Sequence, residues 1–207
     1  MKNKLISFIA IVSLGAFAAD NEIFIDQSGT GANIDLEQLG ISNIIGGLSS
    51  SAGSLTAFDL DGTTMTLDIN MIGATNKFLG SDQNVAVTGS SNTFTLNQGT
   101  TAIAASLNLD WIIQGSNNTI TSNINIDGAT NYVDIDGSDN TLNYTGTGVN
   151  ASAGGYFYLD HTGGQRTFNI QQLSTQDNDW LKILSVGGNA SSTVCVIQND
   201  QGTSTSC

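Results

Sequence analysis

The stretch from Asn118 to Asn143, NTITSNINIDGATNYVDIDGSDNTLN, shows the clearest periodic pattern in the chain. In it, Ile, Tyr, Val and Leu alternate with Asn, Thr or Asp, so each short run has one apolar and one polar face. This period of two residues is typical of β-strands with one buried face. Each run ends at a Gly-containing turn, and no sustained helical period follows the N-terminal segment. The sequence therefore predicts short strands joined by tight turns.

A motif recurs at these turns: Gly, two residues, Asn, one residue, then an apolar residue. Gly supplies the positive φ of a tight turn, and the Asn amide can bond neighbouring backbone. Stacked copies would align the amides into a ladder, each donating to the carbonyl of the next. The motif Asn residues are Asn43, Asn76, Asn92, Asn118, Asn131 and Asn140.

Two all-β architectures fit this pattern. The repeats and the absence of proline favour a β-solenoid, because a continuous hydrogen-bonded ladder excludes proline. Two Gly pairs 22 residues apart, Gly40 with Gly62 and Gly115 with Gly137, also fit a two-strand coil. The irregular intervals between motif copies leave a β-sandwich as the alternative. We predict the solenoid.

A second motif places Gln shortly before Gly, at Gln27, Gln38 and Gln98. The group Gln27, Gly29, Asn33 and Gln38 resembles the curlin repeat of bacterial curli fibres, with the family's separation of 11 residues between the two Gln. Asn33 lies one place later than in that repeat, and the segments 49–58 and 145–155 are inserts relative to it. The resemblance implies a β-solenoid that acts as a secreted subunit of an extracellular fibre or matrix.

The chain divides into three predicted parts. Residues 1–18 read as a signal peptide, with Lys2 and Lys4 before an apolar run and a small-x-small pattern at its end. Residues 19–150 are the repetitive solenoid. Residues 151–207 form a C-terminal β cap anchored by Tyr156–Tyr158 and Trp180. There Cys195 and Cys207 are predicted to form a disulfide, as expected for a pair in an oxidising compartment.

Charge excludes one class of partner. The formal net charge is −13, and only Lys77, Arg166 and Lys182 follow the predicted signal peptide. Nucleic-acid binding needs clustered Lys and Arg, so we exclude it. The acidic surface is expected to confer solubility, with divalent cation binding as the alternative. A membrane is expected only during export, and the predicted location is extracellular, with the periplasm in transit.

Catalysis is not expected, and no cofactor is predicted. His161 is the only histidine, and no nucleophile, zinc or phosphate-loop motif occurs. Carboxylate pairs such as Asp59/Asp61 and Asp134/Asp136 could serve as acid and base in polysaccharide hydrolysis. Alternating polar residues on any solvent-exposed strand face produce the same pairs, however. A tandem nine-residue repeat makes Asp127 and Asp136 weak candidates for a cation site. Thr-x-Thr pairs would also suit an ordered surface such as ice, although Thr is common on strands.

The expected function follows from the ends of a solenoid. An open end coil exposes unpaired N–H and C=O groups unless charge, proline or a cap blocks it. The first strand contains Ile23, Phe24, Ile25 and Gln27 without proline or lysine, whereas the C-terminal end is predicted to be closed. We therefore expect a secreted structural subunit or adhesin of an extracellular fibre, matrix or surface appendage. Through this strand it would self-associate or add to another fibre subunit. The alternative is a monomeric secreted β-domain that binds carbohydrate, calcium or an ordered surface.

Overall fold

The computed structural model describes residues 21–23, 25–40, 43–46, 59–72, 77–79, 87–98, 104–105, 108–127, 130–147, 156–173, 180–188 and 191–198. These residues contain strands and turns and no helix. The strands are β1 (Asn21–Ile23), β2 (Asp26–Thr30), β3 (Asn33–Leu39), β4 (Asn43–Gly46), β5 (Asp59–Thr63), β6 (Thr66–Ile72), β7 (Lys77–Leu79), β8 (Val87–Thr88), β9 (Thr93–Gln98), β10 (Ala104–Ala105), β11 (Asn108–Gln114), β12 (Thr119–Asp127), β13 (Thr130–Asp136), β14 (Asn140–Thr147), β15 (Tyr156–Thr162), β16 (Arg166–Gln172), β17 (Trp180–Val186) and β18 (Thr193–Gln198).

The strands form two parallel sheets. Sheet 1 has the order β1-β4-β7-β11-β13-β15-β17, with β2, β5 and β8 beside this path, and sheet 2 has the order β18-β16-β14-β12-β9-β6-β3, with β10 beside it. The chain passes from sheet 1 to sheet 2 and back, and each passage adds one coil. The predicted β-solenoid is confirmed, and the described residues form seven coils: 21–39, 43–72, 77–105, 108–127, 130–147, 156–172 and 180–198.

The coils keep register although their lengths differ. Asn21 pairs with Asn43 and Thr119 with Thr141, each 22 residues on, whereas Asn33 pairs with Thr66, 33 residues on. In coil 1, two residues separate Ile23 from Asp26. Their partners in coil 2 are Ile45 and Asp59, and thirteen residues separate these two. Sheet 1 of coil 3 is likewise interrupted, between β7 and β8. The sheet therefore resumes after the excess residues without a change of register.

The core lies between the two sheets. Alternate residues point inward on each strand, as in β9, where Phe94, Leu96 and Gln98 are buried and Thr93 is exposed. Inward residues of neighbouring coils stack on one another, as do Leu67, Phe94 and Ile120. Because parallel pairing keeps equivalent positions of successive coils in contact, the core consists of apolar columns that each run along the solenoid axis.

The strands β15 to β18, within residues 151–207, continue both sheets in the same parallel register. Residues 199–207, which would complete the predicted cap, and the predicted signal peptide lie outside the described residues. Of the two 22-residue Gly pairs, Gly115 and Gly137 do stack. Gly40 and Gly62 do not, since Gly62 stacks on Gly29 and the Gly40 N–H bonds to the Ile72 carbonyl.

Candidate functional site

A column of glycines runs along the turns that lead from sheet 1 to sheet 2. A Cβ built on any of them after the first would overlap the carbonyl oxygen of the glycine one coil earlier, so each coil turns in close backbone contact with the last. Two residues further on, Thr64, Ser91, Asn117 and Asp139 adopt left-handed φ values of 56 to 61°. The column consists of Gly29, Gly62, Gly89, Gly115, Gly137, Gly163 and Gly187.

Three motif asparagines lock this turn in coils 3 to 5. Asn92, Asn118 and Asn140 are buried and stand one above another. The Asn118 Oδ1 accepts from the Asn92 N–H at 3.0 Å, and its Nδ2 donates to the Gly89 carbonyl at 3.0 Å. Asn92 and Asn140 repeat both bonds at 2.9 to 3.1 Å. Each side chain thus ties its turn to the backbone of the preceding coil, rather than amide to amide as the sequence suggested.

The other motif asparagines lie at the turns that return to sheet 1. Asn43 donates to the Gln38 carbonyl at 3.0 Å, and Asn131 donates to the Tyr144 hydroxyl at 2.9 Å. Both are buried, but Asn131 shares the column of Ile45, so the two do not stack. Asn76 lies outside the described residues. One sequence motif therefore serves two different turns.

The repeat glutamines point into the core. Gln27 is partly buried in the column of Leu60, while Gln38 and Gln98 are buried on either side of Met71. The Gln98 Nε2 donates to the Met71 Sδ at 3.2 Å. In the last two coils, Gln198 donates to Gln172 in the same column at 3.3 Å. Gln38, Gln98, Gln172 and Gln198 thus share one column of sheet 2, but Met71, Ile124 and Gly146 interrupt it.

The first coil has one unpartnered side. Among the described residues, β1, β2 and β3 pair only with coil 2. Ile23, Ile25 and Ile34 pack against the core but are only partly buried, unlike their counterparts in the middle coils. Phe24 lies outside the described residues. The predicted edge strand therefore presents inward-facing apolar side chains at the end of the solenoid.

Among the described residues, the strands of the last coil, β17 and β18, also pair on one side only, and its inward side chains are not all covered. Val194 and Val196 occupy the inward columns of Phe168 and Ile170, yet they are 45% and 39% exposed, whereas Phe168 and Ile170 are fully buried. The predicted cap anchors do not cover this end: Tyr156, Tyr158 and Trp180 lie on the outer face of sheet 1, and Phe157 belongs to the core. At the turn, Arg166 donates to the Gly187 carbonyl at 2.8 Å.

The outer faces of the sheets differ in character. Sheet 2 carries a column of threonines and amide-to-amide bonds between Asn70, Asn97 and Asn123, each 2.9 Å long. Sheet 1 carries neighbouring aromatic rings: Tyr132 and Tyr158 are stacked with ring centroids 5.2 Å apart, and Tyr156 and Trp180 are tilted by 57° with centroids 5.9 Å apart. The threonine column consists of Thr66, Thr93, Thr119, Thr141, Thr167 and Thr193.

The remaining candidates are not brought together. Asp127 ends β12 in sheet 2 and Asp136 ends β13 in sheet 1, so the two halves of the tandem repeat do not stack. Among the described residues, no group of three or more His, Cys, Asp or Glu is arranged to hold a metal ion. Cys195 lies on β18, and its predicted partner Cys207 lies outside the described residues. The described part of the chain also has no helix long and apolar enough to span a membrane.

Comparison with family models, with curated proteins and with solved structures finds no match to this chain.

Proposed function

We propose that this chain is an exported structural subunit of an extracellular fibre or matrix, and that copies join end to end. The observation that carries the proposal is the state of the two end coils. Both present inward apolar side chains that are incompletely buried, next to strands paired on one side only. Unpaired strand edges of this kind bind further strands by main-chain hydrogen bonds.

The two ends match when the coil register is continued from one copy into the next. In sheet 1, Leu181 follows the column of Ile23, and Ser185 follows the column of Gln27. In sheet 2, Val194, Val196 and Gln198 follow the columns of Ile34, Leu36 and Gln38. An added copy would therefore set apolar residues on apolar residues and Gln38 on the end of the Gln172–Gln198 pair.

The turn at the junction is compatible with this docking. In coils 3 to 5, the glycine carbonyl of one coil accepts from the Asn of the next coil. At the last coil, Arg166 already donates to the Gly187 carbonyl, so this oxygen has a partner without an incoming Asn. The first coil has Ala32 at the Asn position, which brings no donor. Coil 1 is therefore suited to follow coil 7.

The resemblance to curlin repeats supports the same proposal. Ala32 occupies the place one residue before Asn33 where the repeat carries its Asn, and Asn92, Asn118 and Asn140 occupy that position in later coils. Export is supported by the leader-like residues 1–18. On this proposal, the chain itself is not an enzyme, and its main partner is a second copy.

The test is assembly of the purified chain without residues 1–18, followed by negative-stain microscopy and light scattering. The wild-type chain should form filaments. Ile25→Lys should remain a folded monomer, since a lysine at an open end can extend its ammonium to water but cannot be buried in a junction. Thr119→Lys, on the exposed outer face of sheet 2, is the matched control and should assemble. Filaments from Ile25→Lys, or none from the wild type, would refute the proposal.

Carbohydrate binding is a second candidate, favoured by the aromatic rings on the outer face of sheet 1. Tyr156 and Trp180 are 44% and 45% exposed in neighbouring coils, and Asp160 lies on the same face of β15. Exposed ring faces can pack against the C–H faces of sugars, and carboxylates accept from hydroxyls. Binding on a glycan array that Trp180→Ala abolishes would support this function. Unchanged binding by that variant would exclude this surface.

A further inference from the structure

His161 stands in a core column where the other described coils carry a different kind of side chain. Before it, the column contains Gln27 in the open first coil and then Leu60, Val87, Ile113 and Ile135, and Ser185 follows it. His161 is fully buried, and its ring meets Phe168 edge-on at 5.1 Å. The only histidine of the chain is thus held inside coil 6, between coils 5 and 7.

Its two ring nitrogens link these neighbouring coils. Nε2 lies 3.2 Å from the Gly137 carbonyl, which can only accept, so Nε2 carries the proton of the neutral ring. Nδ1 lies 3.0 Å from the Ser185 Oγ and, in this tautomer, accepts its proton. Asn side chains supply the bond to the glycine carbonyl in coils 3 to 5, but coil 6 has Arg166 at that position, directed to Gly187. In coil 6, His161 therefore supplies the bond to the glycine carbonyl that Asn supplies in coils 3 to 5.

The surroundings favour the neutral ring. Burial lowers the pKa of His161 below its ordinary value, and Arg166 on β16 adds to this. The Gly137 bond, Asp136 on β13 and Asp160 on β15 act in the opposite direction but do not reverse the shift. The charged side chain of β17, Lys182, lies over the Tyr158 ring on the outer face.

We infer that His161 is an acid-sensitive latch that holds the C-terminal coil on the solenoid. Protonation turns Nδ1 from an acceptor into a donor, so the Ser185 hydroxyl must turn round to accept, and it places a charge in the core between coils 5 and 7. The folded state binds fewer protons than the unfolded one between the lowered pKa and the ordinary pKa of about 6.5, so stability falls as the pH decreases through this window. A further consequence rests on the proposed function: acid also weakens the junction that coil 7 forms with coil 1 of the next copy.

Hydrogen exchange tests the latch without assembly if it is measured on the monomeric Ile25→Lys variant. After correction for intrinsic rates, protection of β17 and β18 should fall several-fold between about pH 7.5 and about pH 5. Protection of β9, whose inward side chains do not titrate, should change little. In Ile25→Lys/His161→Gln, the amide can make both bonds without titrating, so the fall in β17 and β18 should disappear. An equal fall in the double variant, or no fall in the protein that keeps His161, would overturn the inference.

A second measurement covers the case in which the His161→Gln variant does not fold. The His161 ring signals of the Ile25→Lys protein should titrate below pH 6.5 in NMR spectra, and titration at or above about 6.5 would overturn the latch. Filament growth of the otherwise wild-type chain at the same pH values is read separately. Loss of coil 7 protection without filaments at any pH would keep the latch and refute the proposed function.

Discussion

Asparagine has two roles in this solenoid, and they differ in what the amide contacts. Asn118 is buried and bonds only to backbone, with the Asn92 N–H and the Gly89 carbonyl as partners. Asn123 is exposed, and its amide bonds to the side chain of Asn97. Loss of the first side chain leaves buried backbone groups without partners, whereas water can replace the second.

Asn118→Ala should therefore lower the free energy of unfolding by about 1 to 3 kcal/mol, the cost of orphaned buried polar groups. Asn123→Ala removes the same amide from the wet face and should change stability by less than about 0.5 kcal/mol. Urea denaturation of the monomeric Ile25→Lys background measures both. Equal effects of the two substitutions would mean that the turn ladder does not stabilise the coil.

A carboxylate pair on the outer face of sheet 2 predicts a pH-dependent effect of the opposite sign. Asp35 and Asp68 face each other in adjacent strands, and burial, with the Asp35 charge second, raises the pKa of Asp68 above its ordinary value of 3.8. The folded state then binds more protons than the unfolded one between the two values, so stability falls as the pH rises through that window. The loss of stability caused by the ionised Asp68 carboxylate is therefore fully present at neutral pH.

Asp68→Asn should raise the free energy of unfolding at about pH 7 by about 0.2 to 1 kcal/mol, and the gain should vanish near about pH 3, where the carboxyl is protonated. Asp61→Asn is the control, because Asp61 is exposed and its register partners, Ser28 and Thr88, carry no charge. Urea denaturation at the two pH values measures the difference. A gain for Asp68→Asn that persists at low pH would contradict the assigned cause.

At the residue scale, the sequence predicted the turns better than the contacts. Gly and Asn at fixed spacing specify a tight turn whatever the partner, since positive φ and local amide bonds are properties of the turn itself. The direction of the Asn bonds depends on which coil stacks next to which, and no local pattern contains that. The role of His161 was missed for the same reason, because it follows from Arg166 and not from the residues around the histidine.

At the scale of the strands, register survives large differences in coil length. Coil 2 has eleven more residues than coil 1 between equivalent points of sheet 1, yet β5 pairs with β2 in the same register as β4 with β1. The period-two pattern predicted the strands, since one buried face imposes it. The pairing of strands could not be read from the intervals, because the excess residues make adjacent coils unequal.

Removal of residues 47–57 should leave a folded solenoid. The deletion joins Gly46 to Phe58. Two residues then separate Ile45 from Asp59, as two separate Ile23 from Asp26 in coil 1. Since the number of residues between two paired segments changes the closure entropy only weakly, we expect the free energy of unfolding to change by less than about 1 kcal/mol. Deletion of Asn70 alone shifts the following residues of β6 to the opposite face and should destabilise by more than about 2 kcal/mol. Thermal melts of both variants distinguish a register that tolerates inserts from one that does not.

At the scale of the whole molecule, the two ends of the solenoid carry the functional proposal. Repetition and alternation predicted the stack of coils, whereas closure of the C-terminal end by the rest of residues 151–207 stays a prediction. Aromatic residues near a terminus resemble a cap in sequence, whereas Tyr156, Tyr158 and Trp180 share outward positions of sheet 1. Whether an aromatic side chain lies at the end of the solenoid or on the outer face of a sheet depends on its position in the alternating pattern of the strand. Only the strand register defines that position.

The predicted disulfide belongs to the same end. Cys195 lies in β18 of the last coil, and non-reducing peptide mapping of exported protein should recover Cys195 linked to Cys207. Closure of this segment should stabilise the coil by about 2 to 3 kcal/mol, measured as the change on reduction. Recovery of both residues as free thiols would contradict the predicted disulfide.

End-to-end addition is tested most directly by mixing two variants that are each blocked at one end. Ile25→Lys blocks coil 1 and leaves coil 7 open, while Val196→Lys blocks coil 7 and leaves coil 1 open. Each alone should be monomeric by mass photometry. An equal mixture should form dimers of one copy of each and nothing longer, because only one open pair of ends remains. A mixture that stays monomeric, or that forms filaments, would contradict assembly through these two coils.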